Sequence, residues 1–280
     1  WGGNSAGWID ADNFWYRSES SGYAHLYRYQ ASTRQNIALT SGNYEVQQAQ
    51  LSNDRKFIFL TSNEVHSGEQ QFYKLRISDG QKTRLTQGEG AHQVTLSPDE
   101  KKLATLFSSY NRPWELYLQI NEPGVSAQAI TGLARSDEFN RYNWRIPELI
   151  QIPARDGAKI QARLYKPANP HSTKPAVIFV HGAGYLQNAH KWWSSYFREY
   201  MFHNLLTDLG YHVLDIDYRG SAGYGRDWRT GIYRYMGGKD LTDHVDATKL
   251  LVDQYGVDPS RIGIYGGSYG GLITRYDHKT

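Results

Sequence analysis

The residues best suited to covalent chemistry are near the end of the 280-residue chain, where the apolar run Arg261 to Tyr265 leads into Gly266-Gly267-Ser268-Tyr269-Gly270-Gly271. Gly266, Ser268 and Gly270 satisfy G-x-S-x-G directly after a strand, the setting in which a serine on a sharp strand-to-helix turn becomes a nucleophile. Small residues on both flanks, Gly267 and Gly271 among them, let the chain reverse tightly enough to lift the Ser268 hydroxyl above a sheet edge. The Tyr269 amide would then face the oxyanion that forms when a carbonyl is attacked. A dinucleotide loop is excluded, because Ser268 stands where G-x-G-x-x-G needs a glycine, and no Lys-Ser or Lys-Thr step follows to make a phosphate loop. A structural glycine turn is the bland alternative.

A second element weighs against that alternative. The run Ala176 to Val180 continues as His181-Gly182-Ala183-Gly184-Tyr185, which has the form of a loop that completes an oxyanion hole. The Gly182 amide is the leading donor there, with the Tyr185 hydroxyl and His181 as lesser candidates. On its own, His181 reads as a structural histidine bonded to backbone.

A serine hydroxyl needs a general base within ~3 Å, and the base needs an orienting carboxylate. The chain offers poor candidates. His244 with Asp240, Asp243 and Asp246 sits on or beside a helix from Leu241 to Tyr255 and reads as a solvated face, while His190 and His203 flank an aromatic helix and read as packing residues. Asp277 and His278 are neighbours on a helix leaving the serine turn, about 100° apart around it, so they do not form a base and its carboxylate. No triad Asp or His is assigned, and no His-x-x-x-His pair suggests a metal.

The elements that must hold these residues change period along the chain. Leu149 to Ile152 and Ile160 to Tyr165 flank the turn Arg155-Asp156-Gly157 and read as a hairpin. After the Pro-rich loop from Pro167 to Pro175, strands and helices alternate: Ala176 to Val180, a helix from Trp192 to Leu209, the strand Tyr211 to Ile216, the Leu241 to Tyr255 helix and the final strand. Uninterrupted apolar strands between helices mark a buried parallel sheet.

The first half carries an internal repeat. Leu26-Tyr27, Phe72-Tyr73 and Leu116-Tyr117 recur at spacings of 46 and 44 residues, and each opens a stretch that closes on Leu39-Thr40, Leu85-Thr86 or Ile130-Thr131. In phase with them, Leu51-Ser52-Asn53-Asp54-Arg55-Lys56 and Leu96-Ser97-Pro98-Asp99-Glu100-Lys101 lie 45 apart, each a turn before an apolar strand. A weaker copy precedes Phe14-Trp15-Tyr16. A strand, turn, strand, turn, strand unit with this period is what a β-propeller blade looks like, an ordinary β-sandwich with evenly spaced strands being the alternative, and about three blades are present where a ring takes ~4 or more.

Composition bounds the function. Lys and Arg total 31 against 28 Asp and Glu, a net charge of +3 that suggests neither nucleic acid nor an anionic membrane as partner. A mean hydropathy of −0.66 with no apolar run near ~18 residues excludes a membrane-spanning helix. Zero Cys removes disulfides, thiolate metal sites and cysteine nucleophiles. Residue 1 is Trp, Met201 and Met236 are the only methionines and no leader precedes Gly2, so the sequence is expected to be a fragment truncated at both ends.

Taken together, the blades, His181-Gly182, Asp217-Tyr218-Arg219-Gly220-Ser221-Ala222-Gly223-Tyr224-Gly225 and the serine turn resemble the prolyl oligopeptidase family of serine peptidases, on its dipeptidyl peptidase IV-like branch. The resemblance implies a multidomain β plus α/β fold, with a partial β-propeller over residues 1–144, the N-terminal half of an α/β-hydrolase domain over 145–274, and a polar tail, 275–280, foreign to the family. It further implies hydrolysis of short peptides after Pro or Ala, with Ser268 as the acylating nucleophile and Tyr269 as the amide donor. It implies no cofactor, a peptide as the partner and an exported or periplasmic setting, and it is compatible with a homodimer. Where that branch carries a tyrosine donor this chain has His181, so the donor passes to a backbone amide or Tyr185. With the triad Asp and His absent, the isolated chain is expected to be inactive. An α/β-hydrolase esterase and a non-catalytic propeller with a vestigial hydrolase domain are the alternatives.

Overall fold

A computed structural model describes residues 5 to 183 and 185 to 277. Two compact units divide the chain. The first runs to Tyr142 and includes Lys191–Trp193 and Gly223–Arg226, and the second comprises Asn143–His190, Ser194–Ala222 and the chain from Asp227 onward.

The first unit consists of three four-stranded antiparallel sheets, each a meander in chain order that closes into no barrel. They are β1 to β4 (Ala6–Trp8, Asn13–Ser18, His25–Gln30, Gln35–Ala38), β5 to β8 (Val46–Leu51, Phe57–Ser62, Gln71–Arg76, Lys82–Arg84), and β9 to β12 (Ala91–Leu96, Lys102–Ser109, Arg112–Ile120, Gln128–Ala129). This is one strand more per repeat than the three expected. The additional strand ends at the Leu-Ser turn itself, so its own mixed sequence, such as Val46-Gln47-Gln48-Ala49-Gln50, hid it.

Side-chain hydrogen bonds explain the repeat. Thr40, Thr86 and Thr131 each use Oγ1 to accept the amide of Leu26, Phe72 or Leu116, at 2.9 Å in every case. Each hydroxyl also meets the side chain one residue before that amide: His25 at 2.9 Å, Gln71 at 2.8 Å and Glu115. In the Leu-Ser turns, Ser52 donates to Asp54 and Ser97 to Asp99, both at 2.6 Å. Their carboxylates accept the Lys56 and Lys101 amides at 3.0 and 3.1 Å. Arg55 and Glu100 hold the same turn position, each with φ +58°. One apolar core, with Trp15, Leu26, Ile58, Leu60 and Leu75, joins the first two sheets, and Phe59, Phe72, Leu85 and Leu103 join the second to the third.

The second unit is built on a five-stranded sheet in the order β13-β14-β16-β15-β17 (Glu148–Pro153, Lys159–Tyr165, His212–Asp217, Ala176–Val180, Ile262–Gly266). β15 runs parallel to both β16 and β17, while β13 and β14 form the antiparallel hairpin. Helices α1 (Phe197–Asp208), α2 (Lys239–Tyr255) and α3 (Tyr269–Asp277) accompany it. α2 and α3 bury Ala247, Leu251 and Ile273 against Ile178, Leu214 and Ile216 of the sheet. At about 25 cal/mol per Å² of apolar surface, this is the dominant favourable contribution to the unit's stability.

Two expectations for this unit are corrected. α1 begins at Phe197, five residues after the expected start. Ser194 Oγ accepts the Tyr196 amide at 2.9 Å and donates to Asn188 Oδ1 at 2.5 Å, giving the backbone a local alternative to the helix. The face of α2 expected to be solvated is buried at Asp240, Asp243 and His244, each with 0% exposure.

Candidate active site

Register places the two candidate loops side by side. β15 and β17 are parallel neighbours with Val180 opposite Gly266, so His181 and Gly267 leave adjacent strands at their carboxyl ends, where open α/β sheets bind ligands.

Ser268 occupies the turn between β17 and α3 with φ +54° and an exposed side chain. A left-handed serine is strained, and such residues persist where their surroundings over-determine them. Gly266 and Gly270 do so here. A Cβ on either would collide with the Val180 carbonyl oxygen, and one on Gly266 would also come within 2.9 Å of the Gly270 Cα. Gly267 has open space around it and Gly271 only a 3.4 Å neighbour, so the close approach demands glycine at just two of the four positions. Among the described residues no side chain hydrogen bonds to Ser268 Oγ. Asp277 is the last helical residue of α3, and His278 lies outside the described residues.

Tyr269 is the first residue of α3, where an amide has no acceptor within the helix. Its side chain is buried and donates through Oη to Asp240 Oδ2. Burial, followed by that carboxylate, pushes the phenol well above its ordinary value, so it remains protonated.

On the neighbouring loop, the Gly182 amide donates to Tyr196 Oη at 2.8 Å, and a Cβ on Gly182 would sit 3.0 Å from the same oxygen. That amide is therefore engaged, which corrects its expected place as an open donor. The next one belongs to Ala183, an exposed residue whose N–H has no hydrogen-bond partner among the described residues. Tyr185 is 54% exposed with φ +62°. His181 is buried at 1% exposure, with Nδ1 2.8 Å from the Gly182 carbonyl and Nε2 3.0 Å from Ser221 Oγ. It is directed inward, away from an oxyanion.

A buried polar network underlies these loops. Asp243 accepts the Arg219 amide at 2.8 Å and its guanidinium through both carboxylate oxygens, while Asp156 takes the outer side of the same guanidinium. The hydrogen bond from Arg219 holds the Asp156 carboxyl down at about 2. His244 Nδ1 donates to the Asp240 carbonyl at 2.7 Å, and burial lowers its pKa to about 4. The Tyr218 ring lies 4.5 Å from His181 and 6.1 Å from Tyr269, stacked on each. His203, within an aromatic cluster and bonded to Tyr265 Oη at 2.7 Å, is held neutral by burial at about 3, and His190 is bonded to Arg163.

The side chains of Asp217, Tyr218, Arg219 and Ser221 in the motif Asp217-Tyr218-Arg219-Gly220-Ser221 are all buried, a feature the motif alone does not disclose. The signal was a run of polar residues directly after a fully buried strand.

Two stretches of the chain match models of known families. Residues 196–276 match the model of the prolyl oligopeptidase family, and residues 5–114 match that of the dipeptidyl peptidase IV N-terminal region. Over these two stretches the chain is similar to the prolyl oligopeptidase family. Among individual proteins, the chain is similar to dipeptidyl peptidase 4 of Trichophyton equinum, 27% identical over 265 residues that cover 92% of this chain and 34% of that protein. It is also similar to the uncharacterized peptidase YuxL of Bacillus subtilis, 34% identical over 191 residues, 66% of this chain and 27% of that one. Thus the chain spans about a third of the length of the curated relatives it matches. In fold it resembles Porphyromonas gingivalis dipeptidyl peptidase 4, with a TM-score of 0.82, 23% identity and coverage of 98% of this chain and 38% of that one. A puromycin-hydrolyzing peptidase of Mycobacterium tuberculosis gives 0.78 and 22%, over 98% of this chain and 43% of that one.

Proposed function

We propose that this chain carries the nucleophile and oxyanion-binding half of a serine-peptidase site that cleaves short peptides, after Pro or Ala, through an acyl-enzyme. The observation that carries the reading is Ser268: exposed, at φ +54°, on a strand-to-helix turn clamped by two glycines against the Val180 carbonyl. In this account Ser268 Oγ attacks the scissile carbonyl, and the Tyr269 and Ala183 amides receive the negative charge. Each such donor is worth ~100-fold or more in rate where it has been removed from a preorganised site. Gly182 contributes by anchoring the loop through Tyr196. Tyr185 is exposed on that loop, and His181 acts from within it.

The base is the part not found here. In this fold the partners follow the nucleophile in the order Ser, Asp or Glu, His, and no described imidazole reaches Ser268. We infer that the chain alone does not acylate, and that a longer form with an Asp and then a His after Ser268 does. Domain limits at 1–144 and 145–274 belong to the same reading, and the family match runs two residues into the tail expected from 275.

The test is turnover by such a longer form. Hydrolysis of Ala-Pro and Gly-Pro anilides, lost on Ser268→Ala, is expected. Hydrolysis of short acyl esters without anilide cleavage would favour an esterase, and no turnover of either would favour a binding protein.

A further inference from the structure

Besides Ser268, the chain contains a complete Ser, His and Asp cluster: Ser221, His181 and Asp217 are each at most 1% exposed. Its wiring differs from that of a catalytic triad. A general-base histidine takes the serine on one ring nitrogen and the carboxylate on the other. Here Ser221 Oγ, at 3.0 Å, and Asp217 Oδ1, at 3.2 Å, both meet Nε2, and Nδ1 faces the Gly182 carbonyl at 2.8 Å. No substrate reaches Ser221, so the cluster is not a second nucleophile.

What it does reach is loop 181–190. Asp217 Oδ1 accepts the Asn188 amide at 2.7 Å and Oδ2 the Ala189 amide at 2.9 Å, while the same carboxylate meets His181 at the other end of the loop. Tyr218, the next residue, donates through Oη to the His181 carbonyl at 2.8 Å. A neutral imidazole carries one N–H. The Gly182 carbonyl at Nδ1 takes that one, and at Nε2 the Asp217 carboxylate calls for a second beside the Ser221 hydroxyl, which can donate or accept. We propose that Asp217 is a positioning residue for the oxyanion-binding loop, holding its start through an imidazolium at His181 and its end through the Asn188 and Ala189 amides.

The surroundings agree. The groups around His181 are Asp215 and Asp217 from β16, Tyr218 and Ser221 from the loop that follows, and His244 from α2. Burial opposes a charge on His181, but the Asp217 carboxylate outweighs it, and the histidine titrates above its ordinary value. A buried charge persists only with such a partner.

The inference rests on reading this loop as the oxyanion loop, and its test reads loop geometry without any turnover. Nitrogen-15 NMR of the histidines in the whole chain should show His181 still mainly doubly protonated at pH 6.5, where an ordinary imidazole is half titrated. In Asp217→Asn the His181 transition should fall below pH 6.5. Amide exchange at Asn188 and Ala189, whose N–H groups the Asp217 carboxylate accepts, should quicken at least about tenfold, the equivalent of roughly 1.4 kcal/mol. Ser221→Ala should leave both readouts within about twofold. A wild-type His181 that is neutral at pH 6 would overturn the proposal whether or not the variant folds, as would unchanged exchange at those two amides in a folded Asp217→Asn protein.

Discussion

The two units bury polar groups in different ways. In the blades they are mostly short-range and repeated, with one threonine per sheet taking the same amide at the same 2.9 Å beside three different partners. In the α/β unit they are charged, unrepeated and distant in sequence, and they gather beneath the carboxyl ends of β15, β16 and β17. A repeat tolerates substitution because each copy is a separate, modest hydrogen bond. A network around one guanidinium does not, because removing a partner leaves a charge stranded in the interior.

The largest effect should come from breaking that network. Asp243→Ala strips the buried Arg219 of its inner carboxylate and should cost ~3–5 kcal/mol, measured by chemical denaturation. A loss below about 1 kcal/mol would show that water or Asp156 substitutes freely, and the contrast between the units would fail.

The blade counterpart is Thr86→Val, which leaves the buried Phe72 amide and the Gln71 side chain without their hydroxyl and should cost ~1–3 kcal/mol. Thr131→Val removes the same bond from the third sheet, but there the threonine is exposed and water replaces it, so the loss should stay under about 1 kcal/mol. Equal losses at the two positions would mean that burial does not set the cost.

A smaller effect should appear in pH dependence. His203 at about 3 and His244 at about 4 stay neutral in the fold, so below pH 6.5 the unfolded chain binds protons that the folded one refuses, and stability falls as pH falls. Burial raises Asp215 to about 7, so its proton favours the fold between the ordinary carboxylate value and that pH, partly offsetting the acid limb. His181, raised above 6.5, contributes stability that is complete below that value and lost as pH rises through its folded pKa. Stability measured against pH should therefore peak near pH 6.5. A steady rise from pH 6.5 to 8.5 would contradict this assignment of charges.

Legibility in the sequence follows the same division. The Leu-Ser-x-Asp-x-Lys turns announce themselves because their bonds span two residues, Ser52 to Asp54 and Ser97 to Asp99. The serine turn was legible because Gly266 and Gly270 are what the Val180 carbonyl permits. The buried acids of α2 were not, since Asp243 meets Arg219 from 24 residues away and a helical period records that a face is polar without recording what covers it. The Gly182 amide was misassigned for the same reason: its acceptor, Tyr196, belongs to a segment that reads as helix and folds as a turn.

The central claim is that Ser268 stands on a finished elbow without its base. Labelling of the purified chain with a fluorophosphonate, located by mass spectrometry, tests it most directly. No modification of Ser268 in this chain is predicted, together with stoichiometric, Ser268-dependent modification of any longer form that adds an Asp and then a His after Ser268. Stoichiometric labelling of Ser268 in the 280-residue chain itself would contradict the account, because a base would then be present within it.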